Sequence, residues 1–260
     1  MEIGPRTTYG TIIVVGGGCY GSYYVRQLRR GYAAGAIRWD TLIVVDRDPA
    51  CAVVKSHSEL ESGAPKPEII VSEWSAFFRD YLSRAGEREE GVTDAIVPSP
   101  LMPHLLYEWL LERARERWPE RHVHSRALTT PPAVPWNRAG TEGTHYVSFA
   151  EWMCPVNCIE PRVCPHTRDE RTWSLPVAVR DYVASENERG NAIAGPVIFH
   201  CTHRAFGVGM IDTADVVEAD RLVSRGGASG PVNILVGTVS HCHGALNLLS
   251  VGAAGGTSLR

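Results

Sequence analysis

Two clusters in this chain combine residue types and spacings that suit chemistry. The first is Gly16-Gly17-Gly18-Cys19-Tyr20-Gly21, a G-x-G-x-x-G run with Gly16, Gly18 and Gly21 at the fixed places. In that pattern the first glycine permits a tight turn and the second lets backbone approach a pyrophosphate. The third lets the following helix pack against a strand. The helix start adds free N–H groups and a positive dipole end, which attract phosphate. The second cluster is Cys154, Cys158 and Cys164, spaced C-x3-C-x5-C, with proline directly after the first and third. Prolines at such intervals exclude regular helix, so a loop is predicted that gathers its thiolates around one centre. The Cys-Pro pairs favour iron–sulfur, although ferredoxin-type runs use shorter intervals, and zinc is the alternative. His166, Cys201 and Cys242 are the candidates for a fourth ligand, and Cys201 leads.

The elements that must position the glycine run are legible around it. Thr11-Ile12-Ile13-Val14-Val15 has the β-branched character of a strand buried on both faces. A helix is predicted over about residues 20–30. A second strand, about Thr41 to Val45, ends in Asp46. A carboxylate there is placed to accept hydrogen bonds from an adenine-side ribose, and it would repel a 2′-phosphate. Arg47 beside it could offset that repulsion, so NAD is favoured and NADP remains open. A helix with an aromatic face follows over about residues 75–84. A fourth strand, Asp94 to Val97, runs into Pro98-Ser99-Pro100. Strand C-termini line the ligand crevice of open parallel sheets, which places Ser99 near the cofactor. The expected cofactor-binding set is therefore Gly16, Gly18, Cys19, Tyr20, Gly21, Asp46, Arg47 and Ser99. A helix over Leu105–Arg117 and a fifth strand over residues 122–128 complete the expected sheet.

The run Ile12-Ile13-Val14-Val15-Gly16-Gly17-Gly18, with Gly21 and Leu42-Ile43-Val44-Val45-Asp46-Arg47-Asp48-Pro49, resembles the nucleotide-binding domains of potassium-uptake regulators. These are the RCK or Trk type, a branch of the Rossmann superfamily. The likeness covers roughly residues 8–100. It implies a Rossmann-type parallel sheet and, as one reading, a nucleotide-sensing regulator. The chain departs from the regulators after the third strand, where it reads Glu68-Ile69-Ile70-Val71-Ser72-Glu73-Trp74 without a glycine–acid dipeptide.

In the second half, Thr129 to Trp136 holds three prolines within five residues and reads as an extended connector. The predicted organisation is a Rossmann-type domain over 8–128 and a Pro-rich linker over 129–145. A smaller α/β domain with the cysteine-rich loop follows over 146–251, then a tail over 252–260. Val197 to His203 and Val239 to His243 read as strand ends flanking a helix over about 213–224. On a two-residue period His241 and His243 share one face. His203, His241 and His243 are the candidate proton donors, because imidazole titrates near neutrality.

Composition bounds the rest. With 260 residues, 44% hydrophobic and 21% charged, the chain is an ordinary globular one. A net charge of −3 gives no basic footprint for nucleic acid. No apolar run approaches the roughly 20 residues of a membrane-spanning helix, so no membrane insertion and a cytoplasmic location are expected. Only Lys55 and Lys66 are lysines, which argues against Schiff-base chemistry. Tyr-x-x-x-Lys, a nucleophile elbow and a P-loop are all absent from the sequence. The leading reading is an NAD(P)-dependent oxidoreductase with an iron–sulfur or zinc centre, acting on a small molecule and open to homo-oligomerisation. A non-catalytic redox sensor is the alternative, and a cluster-dependent lyase or desulfurase is the third.

Overall fold

The β-branched run Ile12 to Val15 lies at the heart of the first sheet, every one of its side chains buried. The computed structural model describes residues 7–55, 63–85, 93–150 and 158–255. In chain order its elements begin β1 (Thr7–Val15), α1 (Cys19–Ala33), β2 (Ile37–Asp46), α2 (Ala52–Lys55), β3 (Glu68–Val71), α3 (Trp74–Ala85) and β4 (Ala95–Val97). Next come α4 (Leu105–Arg117), β5 (Arg121–Arg126), β6 (Trp136–Ala139), β7 (His145–Ser148) and α5 (Leu175–Glu188). The chain continues with β8 (Ala194–His200), β9 (Thr202–Ala205), β10 (Val208–Asp212), α6 (Thr213–Ala228), β11 (Val232–Val239) and β12 (His243–Ala254). The protein is a mixed α/β chain with two mixed sheets.

Two compact units divide the chain. The first comprises Met1–Met102, Pro155–Pro161 and Cys201–Val217. Its sheet runs β3-β2-β1-β4-β10-β9. β1 lies parallel to both β2 and β4, and β2 is parallel to β3. Buried on both faces, these strands read as continuous apolar runs, as parallel strands do. Val25 and Leu28 of α1 pack into the same core as Ile12, Val14, Leu42 and Val44. A β-carbon on Gly31 would lie 3.1 Å from Ile37 Cγ2, so helix and strand approach closely there.

The sheet departs from the sequence expectation at its far edge. Residues 122–128 were expected as the fifth strand of this sheet, but β5 pairs with β12, and the strand beside β4 is β10, antiparallel, with Ile211 opposite Ile96. β10 arrives as the second arm of a hairpin with β9. Its two turn residues, Phe206 and Gly207, have φ of +50° and +77°, the primed-turn geometry that matches strand twist. Phenylalanine at the first turn position is not the usual Asn-Gly signal, which is why the hairpin was invisible in the sequence. Arg204 fastens the hairpin, with Nη1 and Nη2 donating to the Asp212 carboxylate at 2.5 and 2.7 Å and Nη1 also reaching Tyr9 Oη at 2.9 Å.

The second unit comprises Pro103–Cys154, Arg162–His200 and Glu218–Arg260. Its sheet runs β6-β7-β12-β11-β8, and β5 pairs with β12. β11 and β12 form a long antiparallel hairpin, and β8 joins β11 in parallel. Leu175, Val179 and Val183 of α5 pack on Leu235, Leu246 and Leu248. The stretch expected as a linker, 129–145, contains β6 and belongs to this unit. Part of the expected tail is strand as well, since β12 runs to Ala254. The second unit takes in residues 103–128, so it is not the smaller appendage anticipated.

Candidate functional site

The glycine turn between β1 and α1 is held by the acid at the end of β2. Gly16 adopts the left-handed region at φ +85°, which glycine enters without steric cost. Its N–H donates to the Val45 carbonyl at 2.9 Å. Gly17 N–H then donates to Asp46 Oδ2 at 2.6 Å, and Asp48 N–H to Asp46 Oδ1 at 2.8 Å. Each carboxylate oxygen retains a lone pair for a further donor.

The glycines of the run differ in what they do. A β-carbon on Gly21 would lie 1.8 Å from the Gly16 carbonyl oxygen, and one on Gly17 would lie 2.3 Å from Cys51 Sγ. Those two are required by packing. A β-carbon on Gly18 would meet nothing within 4 Å. Gly18 is exposed and is the N-cap of α1; having no side chain, it gives the helix no side-chain cap. The first-turn donors of a helix have no intrahelical acceptor. Cys19 is exposed and Tyr20 half-buried beside them. Around the β2 end, Arg47 is exposed, 3.9 Å from Glu73 and stacked over Trp74. Ser99 is buried just after β4. The arrangement offers an open, uncapped backbone surface to an anion, with a carboxylate fixed at the next strand end.

A second cluster in the first unit surrounds Gly209. A β-carbon there would lie 2.6 Å from Cys201 Sγ and 3.4 Å from the His203 ring. His203 Nδ1 is 3.4 Å from Glu160 Oε2. Thiol, imidazole and carboxylate are thus brought together by residues distant in sequence, and Glu160 was not among the residues singled out. Burial pushes the Cys201 thiol up to about 12, with the Glu160 charge adding to it. Burial also raises the Tyr24 phenol on α1, where Cys201 and Tyr20 contribute further.

The remaining metal candidates fall differently. Cys154 lies outside the described residues. Cys158, half-buried, belongs to the first unit with Cys201, while Cys164 belongs to the second. Burial raises the Cys164 thiol, but the N–H groups of Thr167 and His166, the Thr167 hydroxyl and Arg171 outweigh it. The net shift is downward. Among the described residues no set of three histidine, cysteine or acidic side chains forms a metal-sized group.

His241 and His243 do not share a strand face, which corrects the two-residue reading. β11 ends at Val239 and β12 begins at His243, so residues 240–242 form the hairpin turn. Ser240 N–H donates to the His243 carbonyl at 2.8 Å, and Leu175 N–H to the His241 carbonyl at 2.9 Å. The indole N–H of Trp173 points at Cys242 Sγ at 3.4 Å.

The second unit also contains a cavity of about 640 Å³ between one face of α4, β5 and the β6–β7 turn. It was missed from the sequence. The available signal was His104, Glu108, Leu111 and Arg115, polar and apolar residues recurring at helical spacing on the partly exposed face of α4.

Residues 106–252 match the AF_1314_C family model, whose description reads "Uncharacterized protein, C-terminal domain". Neither the curated proteins nor the solved structures give a match.

Proposed function

The chain belongs to the AF_1314_C family, whose model begins at residue 106, and from the glycine turn that precedes that region we propose an NAD(P)-binding redox protein. The observation that carries this reading is the open backbone at Gly18, uncapped and held in place by Asp46. The Rossmann-type assignment belongs to the same proposal. It is supported by the parallel β1–α1–β2 unit, in which such crossovers are right-handed, and by the tight fit of Gly21 under Gly16.

The residues present fit a dinucleotide. The Gly16–Gly18 turn and the start of α1 would hold the pyrophosphate. Asp46, through its remaining lone pairs, would accept from the ribose hydroxyls, with Arg47, Cys19, Tyr20 and Ser99 around them. When bound, NAD supplies a hydride acceptor. His203 is the leading proton donor of the chain, because Glu160, 3.4 Å from its Nδ1, would orient the ring. His241 and His243 are weaker candidates, since they flank a hairpin turn.

An iron–sulfur or zinc centre at Cys154, Cys158 and Cys164 is the second part of the proposal. Cys164 fits a thiolate ligand, because backbone N–H groups already stabilise its anion. Cys201 fits poorly as the fourth ligand, because burial and Glu160 keep its thiol protonated. A non-catalytic sensor of nucleotide would use the same glycine turn without His203.

Calorimetric titration of the intact protein with NAD(H), NADP(H), ATP and AMP tests the reading. Binding of NAD(H) in preference to NADP(H) is expected, and absence of binding by all of them overturns it. A His203→Gln variant that binds nucleotide but loses hydride transfer separates enzyme from sensor.

A further inference from the structure

We propose that Trp74 is the platform on which the base of a purine nucleotide stacks, and that Arg47 is the side chain that yields its place there. The proposal rests on the nucleotide reading of the glycine turn and names the residues that recognise the base. Every group it uses lies in the first unit.

Trp74 opens α3, yet the buried side chains of that helix are Phe77, Phe78, Tyr81 and Leu82. The indole is only half-buried. Its position is nevertheless fixed, because the ring N–H donates to the Val45 carbonyl at 3.1 Å. The same carbonyl accepts Gly16 N–H at 2.9 Å, and its two lone pairs serve both donors. One acceptor near the end of β2 thus ties the ring to the glycine turn. What covers the ring is the Arg47 guanidinium, 5.1 Å from the ring centre. Arg47 is held over it by a 3.9 Å contact with Glu73, between side chains 61% and 63% exposed. An exposed ion pair and an exposed cation–π contact are each weaker than a base–aromatic stack. The base therefore displaces the guanidinium, which can then close over its outer face, since guanidinium also stacks on aromatic planes.

The groups at these strand ends follow the order of a nucleotide's parts. Trp74 with Arg47 meets the base, Asp46 the ribose hydroxyls, and the Gly16–Gly18 backbone the phosphate. Asp46 lies opposite Val71 in the ladder, and Ser72 N–H donates to the Asp46 carbonyl at 3.1 Å. The ends of β2 and β3 are therefore level, and Val71, 55% exposed, adds apolar surface there. This is also where the chain departs from the potassium-uptake regulators, with Ser72-Glu73-Trp74 in place of a glycine–acid dipeptide. The platform is thus a feature of this chain and not of that resemblance.

Calorimetry with AMP and with ribose 5-phosphate, which lacks the base, tests the platform. The intact protein should bind AMP at least about tenfold more tightly, the worth of one base–aromatic stack. Trp74→Leu should remove most of that advantage and leave ribose 5-phosphate unchanged. Trp74→Phe keeps a ring and should keep most of the AMP affinity, and thermal unfolding verifies that both variants fold. Fluorescence gives a second readout. AMP should quench tryptophan emission, and the quench should vanish in Trp74→Phe, because Trp39, the other tryptophan of the first unit, is 3% exposed. Should Trp74→Leu fail to fold, that comparison decides. Equal affinity for AMP and ribose 5-phosphate overturns the platform, as does unchanged AMP affinity in folded Trp74→Leu, a parallel loss of both ligands, or an AMP quench that persists in Trp74→Phe. If NAD(H) still binds in those cases and Gly18→Val abolishes it, the nucleotide reading stands without the platform. If neither AMP nor NAD(H) binds, both fall.

Discussion

Asp46 accepts the Gly17 N–H at 2.6 Å, so the acid at the end of β2 holds the glycine turn shut before any ligand arrives. The same carboxylate receives Asp48 N–H, which fixes the chain leaving the strand. One residue thus has a structural duty in addition to the ribose contact expected of it. Asp46→Ala should lower stability by roughly 2 kcal/mol, the order of a hydrogen bond to a charged group. Asp46→Asn should lose less, because its amide keeps one acceptor oxygen. Denaturant unfolding of the two variants distinguishes these outcomes.

Gly18 and Gly21 separate binding from folding. Gly18→Val should cost less than about 1 kcal/mol, the range of an N-cap change, because its side chain meets open space. It should nevertheless abolish NAD(H) binding, since the side chain covers the exposed backbone. Gly21→Ala should destabilise by about 1–3 kcal/mol, the usual cost of overpacking, with its β-carbon set against the Gly16 carbonyl. Thermal melts alongside calorimetry would read both. Full NAD(H) affinity in Gly18→Val would contradict the assignment of the turn.

Arg204 should be the residue on which the β9–β10 hairpin depends. It is about one-fifth exposed and bonds to both Asp212 oxygens and to Tyr9. Arg204→Met should cost roughly 2–4 kcal/mol, because it leaves Asp212 without its ion-pair partner. Hydrogen exchange should quicken first at Thr202 to Asp212, and the His203 ring resonances should shift with it.

Stability should fall as pH drops through the neutral-to-acid range, in part because of His124 and His145. Burial lowers both below the ordinary imidazole value of 6.5. The unfolded chain therefore binds protons first, near 6.5, while the folded protein resists them. Their contribution is fully present above 6.5 and declines as pH falls from there toward the lower folded values. A His124→Gln, His145→Gln double variant should show a shallower acid limb in denaturant midpoints measured across pH. An unchanged limb would show that these rings do not titrate differently on folding.

Anaerobic purification should yield protein with stoichiometric iron and sulfide, brown in colour and bleached by dithionite. Cys158→Ala should lose the colour. Colourless protein with bound zinc would select the alternative centre, and metal-free protein with freely alkylated thiols would remove the centre altogether.

The local elements were legible in the residues that form them. Buried β-branched runs, the glycine turn and the leucine-rich stretch from Leu105 imposed β1, α1, β2, β4 and α4, because their burial patterns repeat within a few residues. Asp46 at a strand end was legible for the same reason. Which strands meet was not legible in any short stretch of residues. β10 reached the edge of β4 by a hairpin whose Phe206-Gly207 turn carries no strong local signal, and β5 went to β12 instead. Cys201 and His203 meet Gly209 through the β9–β10 hairpin, and Glu160 reaches His203 from about forty residues earlier. The cavity likewise draws its walls from α4, β5, the β6–β7 turn and Asn247 of β12. Such groupings depend on contacts between residues tens to more than a hundred positions apart, and no periodicity within a short window encodes them.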